Sequence, residues 1–190
     1  MKFNELDSTN QQKAIDKLKD INMYEGWHEH TIESFMENCL EIGLDISDTR
    51  FTGFYSQGDG ASFEGTYSII RVNELKDKGL DQAFLDCATT LTDIIENNHS
   101  MDYLDCSLSY DLEFTYCHSN TMILSNCPER TIESEDTAIL QAFRALADHL
   151  YSLLSSEYDY LTSDAAIKES ILANDLDFKI SDPFDNTIIL

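Results

Sequence analysis

Apolar residues repeat along this chain with two different periods, and the points where the period changes divide it into elements. Between residues 10 and 19, Ala14, Ile15 and Leu18 fall at helical spacing behind the start signal Ser8-Thr9, which predicts a short helix. From His30 to Ile42 the set Ile32, Phe35, Met36, Cys39 and Leu40 follows the i, i+3, i+4, i+7, i+8 rule, and Gly43 stands where a left-handed helix cap is wanted. A second, amphipathic helix is expected there. The period then drops to two: Phe51, Gly53 and Tyr55 alternate, as do Phe63, Gly65, Tyr67 and Ile69, with glycine-dense sequence between them. This predicts a β-hairpin whose turn lies within residues 56–61.

Helical spacing returns from Asp81 to Asn97 through Phe84, Leu85, Ala88, Leu91 and Ile95, and ends at Asn97-Asn98. Cys106 to Tyr116 alternates strictly, with Leu108, Tyr110, Leu112, Phe114 and Tyr116 on one side and Ser107, Ser109, Asp111, Glu113 and Thr115 on the other. A half-buried strand with an acidic outer face is expected. His118-Ser-Asn120 turns the chain into a strand over residues 121–126, and Pro128 stops the pairing.

The stripe Ile139, Ala142, Phe143, Leu146, Leu150, Leu153, Leu154 and Tyr158 predicts the longest helix, of about five turns. Ser134 is its expected N-cap, with Glu135 and Asp136 favourably placed against the dipole. A last helix over residues 164–174, carrying Ile167, Ile171 and Leu172, follows Thr162-Ser163, and the apolar end Ile188-Ile189-Leu190 is expected to dock. Two hairpins with segregated helices give an α+β fold: a four-stranded antiparallel sheet with helices packed on it, in one domain over residues 1–190.

Charge narrows the choice of partner. The chain has 36 acidic against 12 basic residues, a net charge of −24 and a pI near 4.2. Such a molecule repels nucleic acid and anionic membrane, and its densest basic group, Lys13, Lys17 and Lys19, is interleaved with Asp16 and Asp20. Direct nucleic-acid binding is therefore excluded, and a basic protein is the expected partner. Twenty-four charges match the phosphates of roughly 12 base pairs, about 40 Å of duplex. A globule of this length has a similar diameter, about 40 Å. The acids either imitate DNA or form an even, solubilising coat, and the sequence leaves both open, as it leaves monomer or dimer. No apolar run reaches the roughly eighteen residues of a membrane span, and residues 1–20 hold no signal-like apolar stretch, so a cytoplasmic protein is expected.

Candidate chemistry is sparse. Gln57-Gly-Asp-Gly60 is followed by a strand and flanked by acids, whereas a phosphate loop opens a helix and usually carries a lysine. Its glycines are expected to supply positive φ, and Gly53 and Gly65 to permit close approach. Asp59, Ser62 and Glu64 offer oxygens without calcium-loop spacing. Trp27-His28-Glu29-His30, near Glu25 and Glu33, is not His-Glu-x-x-His, and Cys106, Cys117, His118 and Cys127 include no Cys-x-x-Cys. Five cysteines without paired spacing are expected to be free thiols. No catalytic residue, metal site or cofactor is assigned. The candidate partner-contact residues are Gln57, Asp59, Glu64, Asp111 and Glu113.

The segment Phe51 to Gly65, Phe-Thr-Gly-Phe-Tyr-Ser-Gln-Gly-Asp-Gly-Ala-Ser-Phe-Glu-Gly, resembles a family of small tailed-bacteriophage proteins. Similarity continues at Glu157-Tyr-Asp-Tyr-Leu-Thr-Ser-Asp164 and Ala173-Asn-Asp-Leu-Asp-Phe178, so the resemblance covers residues 24–178. Some members of that family carry the label of antitoxin in toxin–antitoxin stability systems, and it brings no functional residues with it. The resemblance implies a phage protein in the host cytoplasm. Joined to the charge, it makes the leading expectation a non-enzymatic inhibitor of a basic host protein: a defence nuclease, a restriction or CRISPR effector, or a toxin. The alternative is a metal-dependent enzyme of phage metabolism using the glycine-rich turn with His28 or His30.

Overall fold

The period-two segments form a four-stranded antiparallel sheet from Leu44–Phe51 (β1), Ala61–Ser68 (β2), Asp105–Tyr110 (β3) and Met122–Ser125 (β4), in the spatial order β1-β2-β3-β4. The computed structural model describes residues 1–68, 75, 78–97, 105–111, 113–125, 133–180 and 188–189. The chain groups into two compact units, His30–Ser155 and a smaller one made of Met1–Glu29 with Ser156–Leu190.

In the larger unit the helical stripes close over the sheet. The helices are Glu29–Glu41 (α2), Gln82–Asn97 (α3) and Glu133–Leu161 (α4), whose residues 156–161 count with the smaller unit. Phe35 and Cys39 of α2, Phe84 and Leu91 of α3, and Phe143, Leu146 and Leu150 of α4 share one buried cluster with Leu44, Ile46, Phe63, Tyr67 and Leu108 of the strands. The Phe35 ring lies 6.1 Å from Phe63 and 5.5 Å from Phe84, tilted against both, the offset arrangement that aromatic quadrupoles favour. This is the α+β architecture expected: helices on an antiparallel sheet.

The first hairpin begins earlier than its motif suggests. Leu44 and Ile46 are buried with Asp45 exposed between them, so β1 lies mostly upstream of Phe51, and Gly53 and Tyr55 fall in a loop rather than a strand. A bulge between Ile46 and Asp48 breaks the period, which conceals the strand from an alternation count. β3 in turn stops at Tyr110. The N–H of Glu113 donates to the Asp111 carboxylate at 3.0 Å and the N–H of Phe114 to the Asp111 carbonyl at 3.2 Å, an aspartate turn that ends pairing. Phe114 and Tyr116, expected on the buried face, are 45% and 39% exposed.

Helix limits shift by a residue or two. The first helix, Ser8–Lys17 (α1), is capped by Asp7, whose carboxylate accepts from Asn10 N–H at 2.9 Å, rather than by Ser8-Thr9. α4 begins at Glu133, so Ser134 lies inside it, and its 29 residues make roughly eight turns instead of five. Leu40 and Leu172 are 59% and 41% exposed because each sits next to a fully buried residue, Cys39 and Ile171, and so points about 100° away from the core. Ile69, Asn98, Leu112, Asn126, Cys127, Pro128, Leu190 and the side chain of Ile95, all used in the sequence reading, lie outside the described residues.

The smaller unit has its own core of Phe3, Leu6, Ala14, Ile15, Ile167, Ile171 and Phe178. Ile167 and Ile171 come from Asp164–Ala173 (α5), capped by Ser163, whose hydroxyl accepts from Ala166 N–H at 3.2 Å. Met1 and Phe178 exchange two bonds: the terminal ammonium donates to Phe178 O at 2.9 Å and Phe178 N–H to Met1 O at 2.8 Å. The apolar end docks as expected, with Ile188–Ile189 (β6) antiparallel to Lys179–Ile180 (β5). No helix among the described residues is long and apolar enough to cross a membrane.

Candidate functional site

The register of β1 on β2 sets Asp48 opposite Glu64 and Arg50 opposite Ser62. Tyr110, at the end of β3, joins this group from the other side of β2. Its N–H donates to Glu64 Oε1 at 3.3 Å and its hydroxyl to Asp48 Oδ2 at 3.4 Å. Arg50 Nε donates to the same Asp48 oxygen at 3.2 Å, and the Arg50 Cζ stands 4.0 Å from the Tyr110 ring centre. Burial pushes the Tyr110 phenol well above its ordinary value, Asp48 and Glu64 push it further, and Arg50 opposes them. The phenol therefore stays protonated and able to donate.

Two loops meet at this end of the sheet. Loop 52–60 is pinned at its base, where Thr52 N–H donates to Gly60 O at 3.0 Å and Gly60 N–H to Thr52 Oγ1 at 3.1 Å. Within it Asp59 Oδ2 accepts from the N–H groups of Tyr55 at 3.0 Å and Ser56 at 2.6 Å, while Gly58 turns the chain at φ +94. Thr52 Oγ1 donates to Cys117 O at 3.4 Å, and a Cβ on Gly60 would lie 3.0 Å from His118 Cα. The loop thus rests on the segment that leads into β4.

Between these elements lies a cleft of about 80 Å³ lined by Arg50, Ser62, Tyr110, Asp111, Phe114 and Tyr116, together with Thr115, Cys117 and Thr121. The Phe114 and Tyr116 rings stand 5.4 Å apart, both exposed. Ser62 is fully buried, and its Oγ has no hydrogen-bond partner among the described residues.

The candidate residues divide on this geometry. Glu64 accepts from Tyr110 N–H, Asp111 lines the cleft next to Tyr110 and accepts from Glu113 N–H, and Glu113 is exposed beside Phe114. Gln57 is exposed in loop 52–60, next to Gly58. Asp59 holds the loop through its two backbone bonds, which gives it a structural task. Asp48, Arg50 and the role of Ser62 were not legible, because they meet Tyr110 only across strands. One signal was available: Arg50 is the sole lysine or arginine between Lys19 and Arg71.

Part of the other candidate chemistry is taken up by packing, while His30 is exposed. Trp27 sets its ring 5.5 Å from His28 and 5.9 Å from Tyr158. Cys39, Cys87, Cys106 and Cys117 are thiols, and burial pushes Cys39 well up and Cys87 to about 12, far from a reactive thiolate. Among the described residues no three His, Cys, Asp or Glu side chains are grouped to hold a metal ion. What the arrangement offers is carboxylates, exposed aromatic faces and one buried hydroxyl, which together suit a cationic group.

No curated protein and no solved structure matches the chain. A family model does match, over residues 27–164, which span the whole of the larger unit and every candidate contact residue. The chain belongs to the family described as a domain of unknown function, DUF8835.

Proposed function

We propose that this chain is a non-enzymatic binding protein for a basic partner protein, which docks where loop 52–60 meets the segment 113–118. The composition of that end of the sheet carries the reading. Residues 51–68 and 105–125 contain no lysine or arginine, while Asp59, Glu64, Asp111 and Glu113 stand there with the exposed rings of Tyr55, Phe114 and Tyr116. Two arginines border this end and both are engaged, Arg50 by Asp48 and Tyr110 and Arg144 by the carbonyls of Asn120 and Met122. Aromatic anchors are where binding energy concentrates, and a net charge of −24 speeds encounter with a cationic surface.

Proteins that hold DNA in a basic cleft, and toxins of similar charge, are the partners this chemistry fits. The resemblance to tailed-phage proteins supports an inhibitor of such a host protein, acting in the host cytoplasm with carboxylates in place of phosphates. The metal-dependent alternative draws no support from the geometry, because two backbone N–H groups already occupy Asp59 Oδ2.

Immobilised chain in bacterial lysate tests the reading. Charges act over about 10 Å at 0.1 M salt and about 3 Å at 1 M, so basic proteins should be held at the first and released at the second. Combined Asp111→Asn, Glu113→Gln and Phe114→Ala should abolish capture, whereas Glu25→Gln with Glu169→Gln, two exposed acids of the smaller unit, should leave it intact. Equal losses in both variants would return the charge to a general coat.

A further inference from the structure

Resting on that docking reading, we infer that the cleft lined by Ser62, Asp111, Phe114 and Tyr116 takes one guanidinium group, the head of an arginine from the partner. Its size is the first reason. On the scale where one water needs roughly 10–15 Å³, a space of about 80 Å³ holds roughly five to eight heavy atoms. That is the head of a long side chain, far below the roughly 300 Å³ of an ordinary small-molecule pocket.

The second reason is the unmet bond at Ser62. A buried hydroxyl without a partner is uncommon and costly, and a group that brings a donor to it removes that cost. The carboxylates around the cleft fix the sign of the incoming group. Asp111 lines it and Asp48 and Glu64 bond Tyr110 at its edge, three carboxylates against Arg50 and the nearby Arg144, which is held by the Asn120 and Met122 carbonyls, so a cation is favoured and an anion repelled. Ring faces then select guanidinium over ammonium, because the planar group stacks as well as donates. The molecule already displays this chemistry internally, in Arg50 set on the Tyr110 ring and bonded to Asp48. A partner arginine would repeat it on Phe114 and Tyr116 with Asp111.

The experiment is an NMR titration of the isotope-labelled full chain with ethylguanidinium chloride, against N-ethylurea as the neutral isostere and sodium chloride at equal ionic strength. Saturable shifts are expected at the amides of Ser62, Asp111 and residues 115–117, with a dissociation constant on the order of millimolar for so small a probe. Asp111→Asn should weaken binding about tenfold and Ser62→Ala about fivefold. Shifts that do not saturate, that N-ethylurea reproduces, or that persist unchanged in either variant overturn the inference. Failure here with salt-sensitive capture of basic proteins intact removes the arginine site alone. Guanidinium binding without such capture removes the docking reading alone.

Discussion

Arg50 covers Tyr110, with its Cζ 4.0 Å from the ring centre, and both groups bond one oxygen of Asp48. Arg50 is half exposed, so the pair contributes modestly, about 0.5–1 kcal/mol. Arg50→Ala should lower stability by that amount in urea unfolding. It should also raise the Tyr110 phenol further, since Arg50 is the group that opposes burial and Asp48.

The Asp59 carboxylate is a clasp. Asp59→Ala frees the N–H groups of Tyr55 and Ser56 in a partly exposed loop and should cost about 1–2 kcal/mol, with faster hydrogen exchange confined to those two amides. Asp59→Asn, which keeps an acceptor oxygen, should recover much of the loss. Unchanged exchange in the alanine variant would show that the loop holds itself.

The glycines of the motif have separable tasks. A Cβ on Gly65 would lie 2.4 Å from the Asp45 carbonyl oxygen, a backbone atom with little freedom, so Gly65→Ala should cost about 1–3 kcal/mol or more. At Gly58 nothing lies within 4 Å and only φ +94 matters, so Gly58→Ala should cost about 1–2 kcal/mol. At Gly53 the contact would be an ordinary 3.4 Å with Asp59, so the close approach expected there is not required. Thermal unfolding of the Gly65 and Gly58 variants gives the ranking.

Alkaline pH should destabilise the fold. Burial pushes the Cys87 thiol from its ordinary 9.0 to about 12 and raises Cys39 and Tyr67 as well. Below pH 9 both folded and unfolded chains keep the Cys87 proton, and its contribution is constant. Above it the unfolded chain releases the proton first, so stability falls between pH 9 and about 12, by up to about 1.4 kcal/mol per pH unit for that group. Urea midpoints measured from pH 7 to 11 should show the fall, and Cys87→Ala should make it shallower, leaving the part that Cys39 and Tyr67 contribute.

Local pattern carried most of the fold. Phe35, Cys39, Phe84, Leu91, Phe143 and Leu150 announce their helices because each helix buries one stripe, and Cys106 and Leu108 announce β3 for the matching reason. What escaped is what depends on partners distant in sequence. Phe114 and Tyr116 continue the alternation of β3 in sequence, yet a turn at Asp111 carries them away from the sheet and onto the rim of a cleft. β1 was hidden by its bulge, and the aromatic Phe51 to Tyr55 run mimicked a strand in its place. Of the site, the acids Glu64 and Asp111 were legible as charge, whereas Ser62 gains meaning only from burial without a partner.

The paired bonds between Met1 and Phe178 also set an order of assembly. Residues 1–29 find their core partners among residues 156–180, so at synthesis rates of about 5–20 residues per second they wait roughly 6–25 s after emerging. Residues 30–155 hold a complete cluster of their own and need not wait. Phe3, Leu6 and Ile15 are then the apolar groups most in need of protection on the ribosome, and a released chain ending at residue 155 should be cut by protease near them while its sheet resists.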